Sequence, residues 1–198
     1  MLKHHLESPD RTSNLQLTLA DYNLQVLALA TIPNLLLTIS SLLPCAQPWS
    51  DEGDLQITRD LLTAFDLELK AAKVNISTIS GAWGSTFVDL THGISITSGG
   101  SGDLTLILAS ETIYSPASLR DFTYTVLSLL SQHDSPSCKA IALVAAKRMY
   151  FGVGGGVNEF MAVLEELGGA GRHVWDSSQE ERGQGVGRCI LEVSLRRS

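Results

Sequence analysis

Glu111 and Tyr114 stand at i and i+3 in the segment SETIY, directly behind an apolar run. A carboxylate and a phenol at one strand mouth can take part in acid–base work, although the same pair also serves as ordinary hydrogen-bonding groups. Asp21, in LADYN, is an acid at the end of an alternating stretch, where sheet proteins grip ribose hydroxyls; the other reading is a solvated turn or helix cap. Trp83, in ISGAWG, can stack on an adenine ring or pack in the core. The run FGVGGGVNEF, residues 151–160, raises the question of a phosphate cradle. A dinucleotide fingerprint needs glycines at its first, third and sixth positions, just after the first strand of its unit. Gly152 and Gly154 satisfy the first two, and Val157 fails the third. No strand ending in an acid follows about twenty residues on, where the ribose contact would be needed. These glycines therefore predict a tight strand-to-helix turn, with room for something to approach the backbone.

Such side chains need a frame to position them. LQLTLADY, from Leu15 to Tyr22, alternates apolar and polar residues as a half-buried strand does. LQITRDLLTAFDLELKAAK has helical spacing and basic residues at its end, and VNISTIS, Val74 to Ser80, returns to strand chemistry. A polar, glycine-rich run from Thr97 to Asp103 precedes Leu104–Ala109, whose unbroken apolar character predicts a strand buried on both faces. Ser115 and Pro116 open a helix with Leu119, Phe122, Val126, Leu127 and Leu130 as its inward stripe. KAIALVAAKRMYF predicts another buried strand, and Asn158 starts a helix over Glu159–Leu167 that Gly168 and Gly169 end. CILEVSL, Cys189 to Leu195, makes a closing strand. Strands alternating with helices predict a mostly parallel sheet in an α/β domain, with ligands outside the carboxyl ends of the strands. Those ends carry Asp21, Tyr22 and Asn23, then Gly81, Ala82 and Trp83, then Ser110, Glu111 and Tyr114, and last Phe151 with its glycines.

Composition narrows the classes further. A chain of 198 residues with 44% hydrophobic content suits one globular domain. A net charge of −7 provides no basic field for a polyanion, so direct nucleic-acid binding is not expected. Cys45, Cys138 and Cys189 form no CxxC pair and predict buried thiols in a reducing compartment, the cytoplasm or nucleus. The first fourteen residues lack the apolar centre of a secretory signal. Val26–Pro44 is long and apolar, but Pro33 and Asn34 interrupt it, which predicts two short buried helices and no membrane span. No spacing of His, Cys, Asp or Glu predicts a metal site.

In wording and order, LADYNLQVLALATIPNLLL, ISGAWG, LILASETIYSPASLRDF and ALVAAKRMYFGVGGGVNEF resemble the histidine protein methyltransferases, within the seven-strand, S-adenosylmethionine-dependent class. The resemblance covers residues 15–198 as the C-terminal portion of a methyltransferase domain, and residues 1–14 form an unmatched polar N-terminus. It implies a Rossmann-like sheet carrying S-adenosylmethionine at its strand tips. Asp21, with Tyr22 and Asn23, would hold the ribose, Gly81, Ala82 and Trp83 would border the adenine, and Ser110 would line the donor pocket. Glu111 and Tyr114 would face the substrate, and the glycines of residues 152–156 would belong to the substrate-side loop. Glu111 would accept a hydrogen bond from one imidazole nitrogen while the other attacks the methyl group, and Tyr114 would orient the ring. The implied activity is protein-histidine N-methylation, and the implied partner is a ribosomal protein of the large subunit.

The resemblance also implies a strand and a glycine-rich loop just before LQLTLADYN, yet no G-x-G precedes Asp21 and the first glycine is Gly53. That strand would sit at the centre of the sheet, between those ending at Asp21 and Ser110. Its loss would leave inner edges unpaired and apolar faces exposed. The seven-strand sheet is therefore expected to be incomplete in this chain, and catalysis to belong to a longer protein. A non-catalytic remnant acting as a protein-binding module is the alternative, and a nicotinamide oxidoreductase the third reading.

Overall fold

The computed structural model of the chain describes residues 2–8, 13–46, 52–93, 103–133, 138–152, 154–177 and 187–196. It divides into two compact units, Met1–Ala82 and Trp83–Ser198. Most of the glycine-rich run expected over Thr97–Asp103 lies outside the described residues.

In the first unit, strands β1 (Leu15–Asp21) and β2 (Val74–Ser80) pair in parallel, with Asp21 opposite Ser80. Both match the alternation of the sequence. Helix α1 (Leu2–Glu7) lies within the segment expected only to be polar, and its Leu2 and Leu6 are buried in this unit's core. Its His5 Nε2 lies 3.0 Å from the Ala72 carbonyl oxygen. Helix α4 (Arg59–Ala71) leads into β2; the Thr58 hydroxyl caps it by accepting the Leu61 N–H. The apolar stretch before Pro44 differs from the expected pair of buried helices. A short helix α2 (Leu24–Val26) runs through a wide π segment, Leu27–Thr31, straight into α3 (Ile32–Ser40). Pro33 stands in the first turn of α3. Proline has no N–H to donate and crowds the carbonyl four residues back, and a wider turn relieves both problems. Across residues 24–40 only Leu27, Ile39 and Ser40 are buried. Among the described residues no helix is long and apolar enough to cross a membrane.

The second unit is a four-stranded sheet in the order β3 (Asp103–Ser110), β4 (Cys138–Lys147), β6 (Arg188–Leu195), β5 (Gly169–Asp176). β3 and β4 are parallel, whereas β4–β6 and β5–β6 are antiparallel, so the sheet is mixed and not mostly parallel. Helices α6 (Pro116–His133) and α7 (Val157–Glu166) cover one face. There the predicted stripe of Leu119, Phe122, Val126, Leu127 and Leu130 meets Ala142, Val144, Leu191 and Val193. Each large side chain buried in this way contributes about 1.5–3 kcal/mol. The other face of β3 is open: Leu104 and Leu108 are each 60% exposed, which corrects the expectation that this strand is buried on both faces. An unbroken apolar run shows what a strand can bury, and the helices cover only one of its two sides.

Two elements escape the sequence patterns. Helix α5 (Ser85–Gly93) is rich in β-branched residues that weaken a helical signal, yet it buries Phe87 and Val88. β5 begins with glycines that look like a helix terminator. A side chain at Gly169 would meet Leu164 Cδ1 at 2.4 Å, and one at Gly171 would meet Met161 Sδ at 2.5 Å, so α7 packs where no Cβ fits. Helix α7 itself starts at Val157 with Gly156 as its cap, two residues earlier than Asn158 suggests. Cys45, Cys138 and Cys189 form no disulfide with one another; Cys189 is buried, Cys138 half-buried and Cys45 exposed, so burial holds for one of the three.

Candidate functional site

In the first unit, parallel pairing brings Asp21, Tyr22 and Asn23 to the same end as Gly81 and Ala82. The Gly81 N–H donates to the Asp21 carbonyl at 3.2 Å, carrying the ladder one step past the strands. One Asp21 carboxylate oxygen accepts the Asn23 N–H at 2.8 Å, and the Asn23 side-chain oxygen accepts the Gln25 N–H at 2.9 Å to cap α2. Asp21 thus makes the turn that one reading of the sequence allowed. Its second oxygen takes no hydrogen bond among the described residues. Tyr22 beside it is 64% exposed. Gly81 has φ +135°, and open space lies where its side chain would be.

Trp83 opens the second unit, where its half-buried indole packs edge-on against Phe87 (4.9 Å) and Phe122 (5.9 Å). The next amide, Gly84 N–H, donates to the Thr125 hydroxyl at 2.8 Å.

Ser110, Glu111 and Tyr114 gather at the end of β3. The Glu111 N–H donates to the Ala145 carbonyl at 3.0 Å, extending the β3–β4 pairing. Glu111 then adopts φ +55°, a left-handed conformation rare outside glycine and its short polar neighbours. The reversal buries Ile113 completely and leaves Tyr114 48% exposed. The Thr112 hydroxyl is buried without a hydrogen-bond partner among the described residues.

The glycine loop answers the question raised by its sequence. Gly152 and Gly154 use positive φ, whereas Gly155 and Gly156 are buried. A side chain on Gly155 would stand 2.3 Å from the Tyr114 carbonyl oxygen and 2.7 Å from that of Ile113. This glycine exists for close contact with the Glu111–Tyr114 segment. Tyr150, which the sequence patterns did not single out, ties the two together. Its N–H donates to the Gly155 carbonyl at 3.3 Å, and its ring centroid lies 6.2 Å from that of Tyr114. Its hydroxyl accepts the Lys147 N–H at 3.2 Å. The Lys147 ammonium lies 5.7 Å from the ring centroid. Burial first, and then Glu111, push the Tyr150 phenol up to about 12, against the opposing Lys147 amide. Its position at the end of β4, just ahead of the glycines, was the available signal. Behind it, Arg148 pairs with Asp176, and burial followed by the Asp176 charge raises the Cys189 thiol above its ordinary value. No group of three or more His, Cys, Asp or Glu side chains suited to a metal occurs among the described residues.

No family model matches the chain. Among curated proteins, histidine protein methyltransferase 1 of Saccharomyces cerevisiae is 37% identical over 169 residues, covering 79% of this chain and 43% of that protein. The protein of the same name from Schizosaccharomyces pombe is 33% identical over 154 residues, covering 76% and 41%. A homologue from Rattus norvegicus is 37% identical over 92 residues, covering 46% and 22%. The chain therefore spans less than half the length of these relatives. Two solved structures, a pericyclic reaction enzyme and LepI in complex with SAH and a substrate analogue, cover 98% of the chain at 10% and 9% identity. They cover 47% and 46% of their own chains, and both have a TM-score of 0.39, too low to support an argument from fold.

Proposed function

Because this chain is a homologue of the histidine protein methyltransferases over most of its length, we propose that its protein is an S-adenosylmethionine-dependent protein-histidine N-methyltransferase. The observation that carries the reading is the 37% identity across 79% of the chain. A ribosomal protein is the proposed substrate, and the cytoplasm or nucleus the proposed compartment, in keeping with three cysteines that form no disulfide with one another. The finer fold proposed is a Rossmann-like seven-strand sheet. Among the described residues β1 pairs only with β2, and β3 only with β4, so each has an edge for a further strand.

The first unit's strand ends fit the donor. Asp21 has a carboxylate oxygen to spare for ribose hydroxyls, Tyr22 and Asn23 are exposed beside it, and open space flanks Gly81 next to Ala82. In the second unit, Trp83 and Ser110 are the proposed adenine and donor-pocket contacts. When bound, the donor supplies an electrophilic methyl group on a cationic sulfur. Glu111 would accept the N–H of the substrate imidazole, leaving the other nitrogen's lone pair free and balancing the charge that develops on the ring. Tyr114 would orient the ring.

The test uses full-length protein, S-adenosylmethionine with a labelled methyl group, and histidine-bearing peptides. Asp21→Ala lowers donor affinity by about tenfold or more, the loss expected for a charged hydrogen-bond partner. Glu111→Ala leaves donor affinity intact and lowers turnover about a hundredfold. Intact donor binding with methylation of lysine and not histidine peptides overturns the assignment.

A further inference from the structure

Trp83 stands just ahead of Gly84, whose φ of +135° is open to glycine and to few other residues. A glycine there leaves the turn free to swing, and the indole would swing with it. Two positions on α6 hold it. The Phe122 ring meets the indole edge-on at 5.9 Å, and three residues further along the same helix face the Thr125 hydroxyl accepts the Gly84 N–H at 2.8 Å. We propose that Thr125 is a positioning residue of the donor site: by fixing the backbone directly behind Trp83, it holds the indole at the angle that receives the adenine ring. The inference rests on the reading of Trp83 as the adenine contact.

The geometry is that of a fixed acceptor. Thr125 is 2% exposed, and its hydroxyl donates to the Asp121 carbonyl, one turn back, at 2.8 Å. That bond uses the hydroxyl's only proton and fixes its rotamer, so a lone pair is left for the Gly84 amide. The Gly84 carbonyl in turn accepts the Val88 N–H at 3.1 Å as the cap of α5, and Phe87 of that helix packs against the indole at 4.9 Å. One hydroxyl thus ties α6 to the residue that starts α5, with the indole packed against both helices. Thr123 provides an internal contrast. It is fully buried and donates to the Leu119 carbonyl at 2.7 Å, yet among the described residues no N–H from outside α6 donates to it.

The experiment measures S-adenosylmethionine binding by calorimetry in the full-length protein and in Thr125→Val, Thr125→Ser, Thr123→Val and Trp83→Ala. Valine keeps the shape of threonine and removes the hydroxyl. Thr125→Val is expected to weaken donor binding about fivefold, the size of one neutral hydrogen bond, with kcat at saturating donor unchanged. Thr125→Ser keeps the wild-type affinity, and so does Thr123→Val. In the Trp83→Ala background, which itself loses affinity, Thr125→Val is expected to add less than about twofold, because the side chain it positions is gone. Wild-type affinity in Thr125→Val, an equal loss in Thr123→Val, or an equal further loss in the Trp83→Ala background overturns the proposal. A second measurement does not need the donor: hydrogen exchange of the Gly84 amide by NMR. It is expected to be about fivefold faster in Thr125→Val and unchanged in Thr125→Ser and Thr123→Val. An exchange rate that does not change in Thr125→Val overturns the proposal as well. If Trp83→Ala binds the donor as tightly as the wild type while Gly84 exchange responds to Thr125→Val, the adenine reading fails and the role in donor binding with it, whereas the Thr125–Gly84 bond stands.

Discussion

The mouth of the β1–β2 pair and the mouth of the β3–β4 pair carry the same kind of equipment, an acid beside a tyrosine, and hold it by different means. At the first, Asp21 is fixed by residues two positions away, and the nearby Gly81 has empty space around it. At the second, Tyr114 is gripped by a loop some forty positions on, through the Tyr150 ring and a glycine that stands against the carbonyls of Ile113 and Tyr114. Local turns leave an acid accessible and adjustable, which suits holding a ligand. Close backbone contacts fix the course of the segment that carries such groups, which suits aligning a reaction.

Three experiments test that contrast. Gly155→Ala forces a methyl group into the carbonyls of Ile113 and Tyr114, so unfolding in denaturant should show a loss of about 3 kcal/mol, at the upper end of overpacking. Gly81→Ala meets no atom, and only its φ of +135° is unfavourable for a side chain, so about 1 kcal/mol is expected by the same measurement. Equal losses at the two glycines would break the comparison. The smallest effect sharpens it from outside both mouths. Burial, and then the neighbouring His92, hold the His133 imidazole below its ordinary value of 6.5. As pH falls through that value the unfolded chain takes up the proton first, so stability is full above it and declines toward the lower folded value. Thermal melting from about pH 7 to about pH 5 should therefore fall less steeply in His133→Gln than in the wild type.

The same contrast explains what was legible in the sequence. β1, β2 and the buried stripe of α6 follow directly from periodicity, because each depends on a single repeating face. Asp21 and Gly81 announce themselves as turn residues at strand ends. β5 was hidden because its glycines serve α7, not their own strand, and Leu104–Ala109 looked doubly buried because no local pattern says how many faces will be covered. Tyr150 shows in the sequence only as the residue ahead of the glycines, and the purpose of Gly155 not at all. Their partners are Ile113 and Tyr114, and only the folded chain brings those residues alongside.

The π segment before Pro33 has a consequence for timing along its helix. Leu27 and Ile39 are twelve positions apart, which on a regular α-helix would leave them about 120° out of phase. The wide turn at Leu27–Thr31 absorbs one residue, so the interval counts as about eleven, or three whole turns. Both side chains are buried. The proline thus does not end the helix; it resets the helix's phase, and the two leucine-rich halves keep their beat on either side of it.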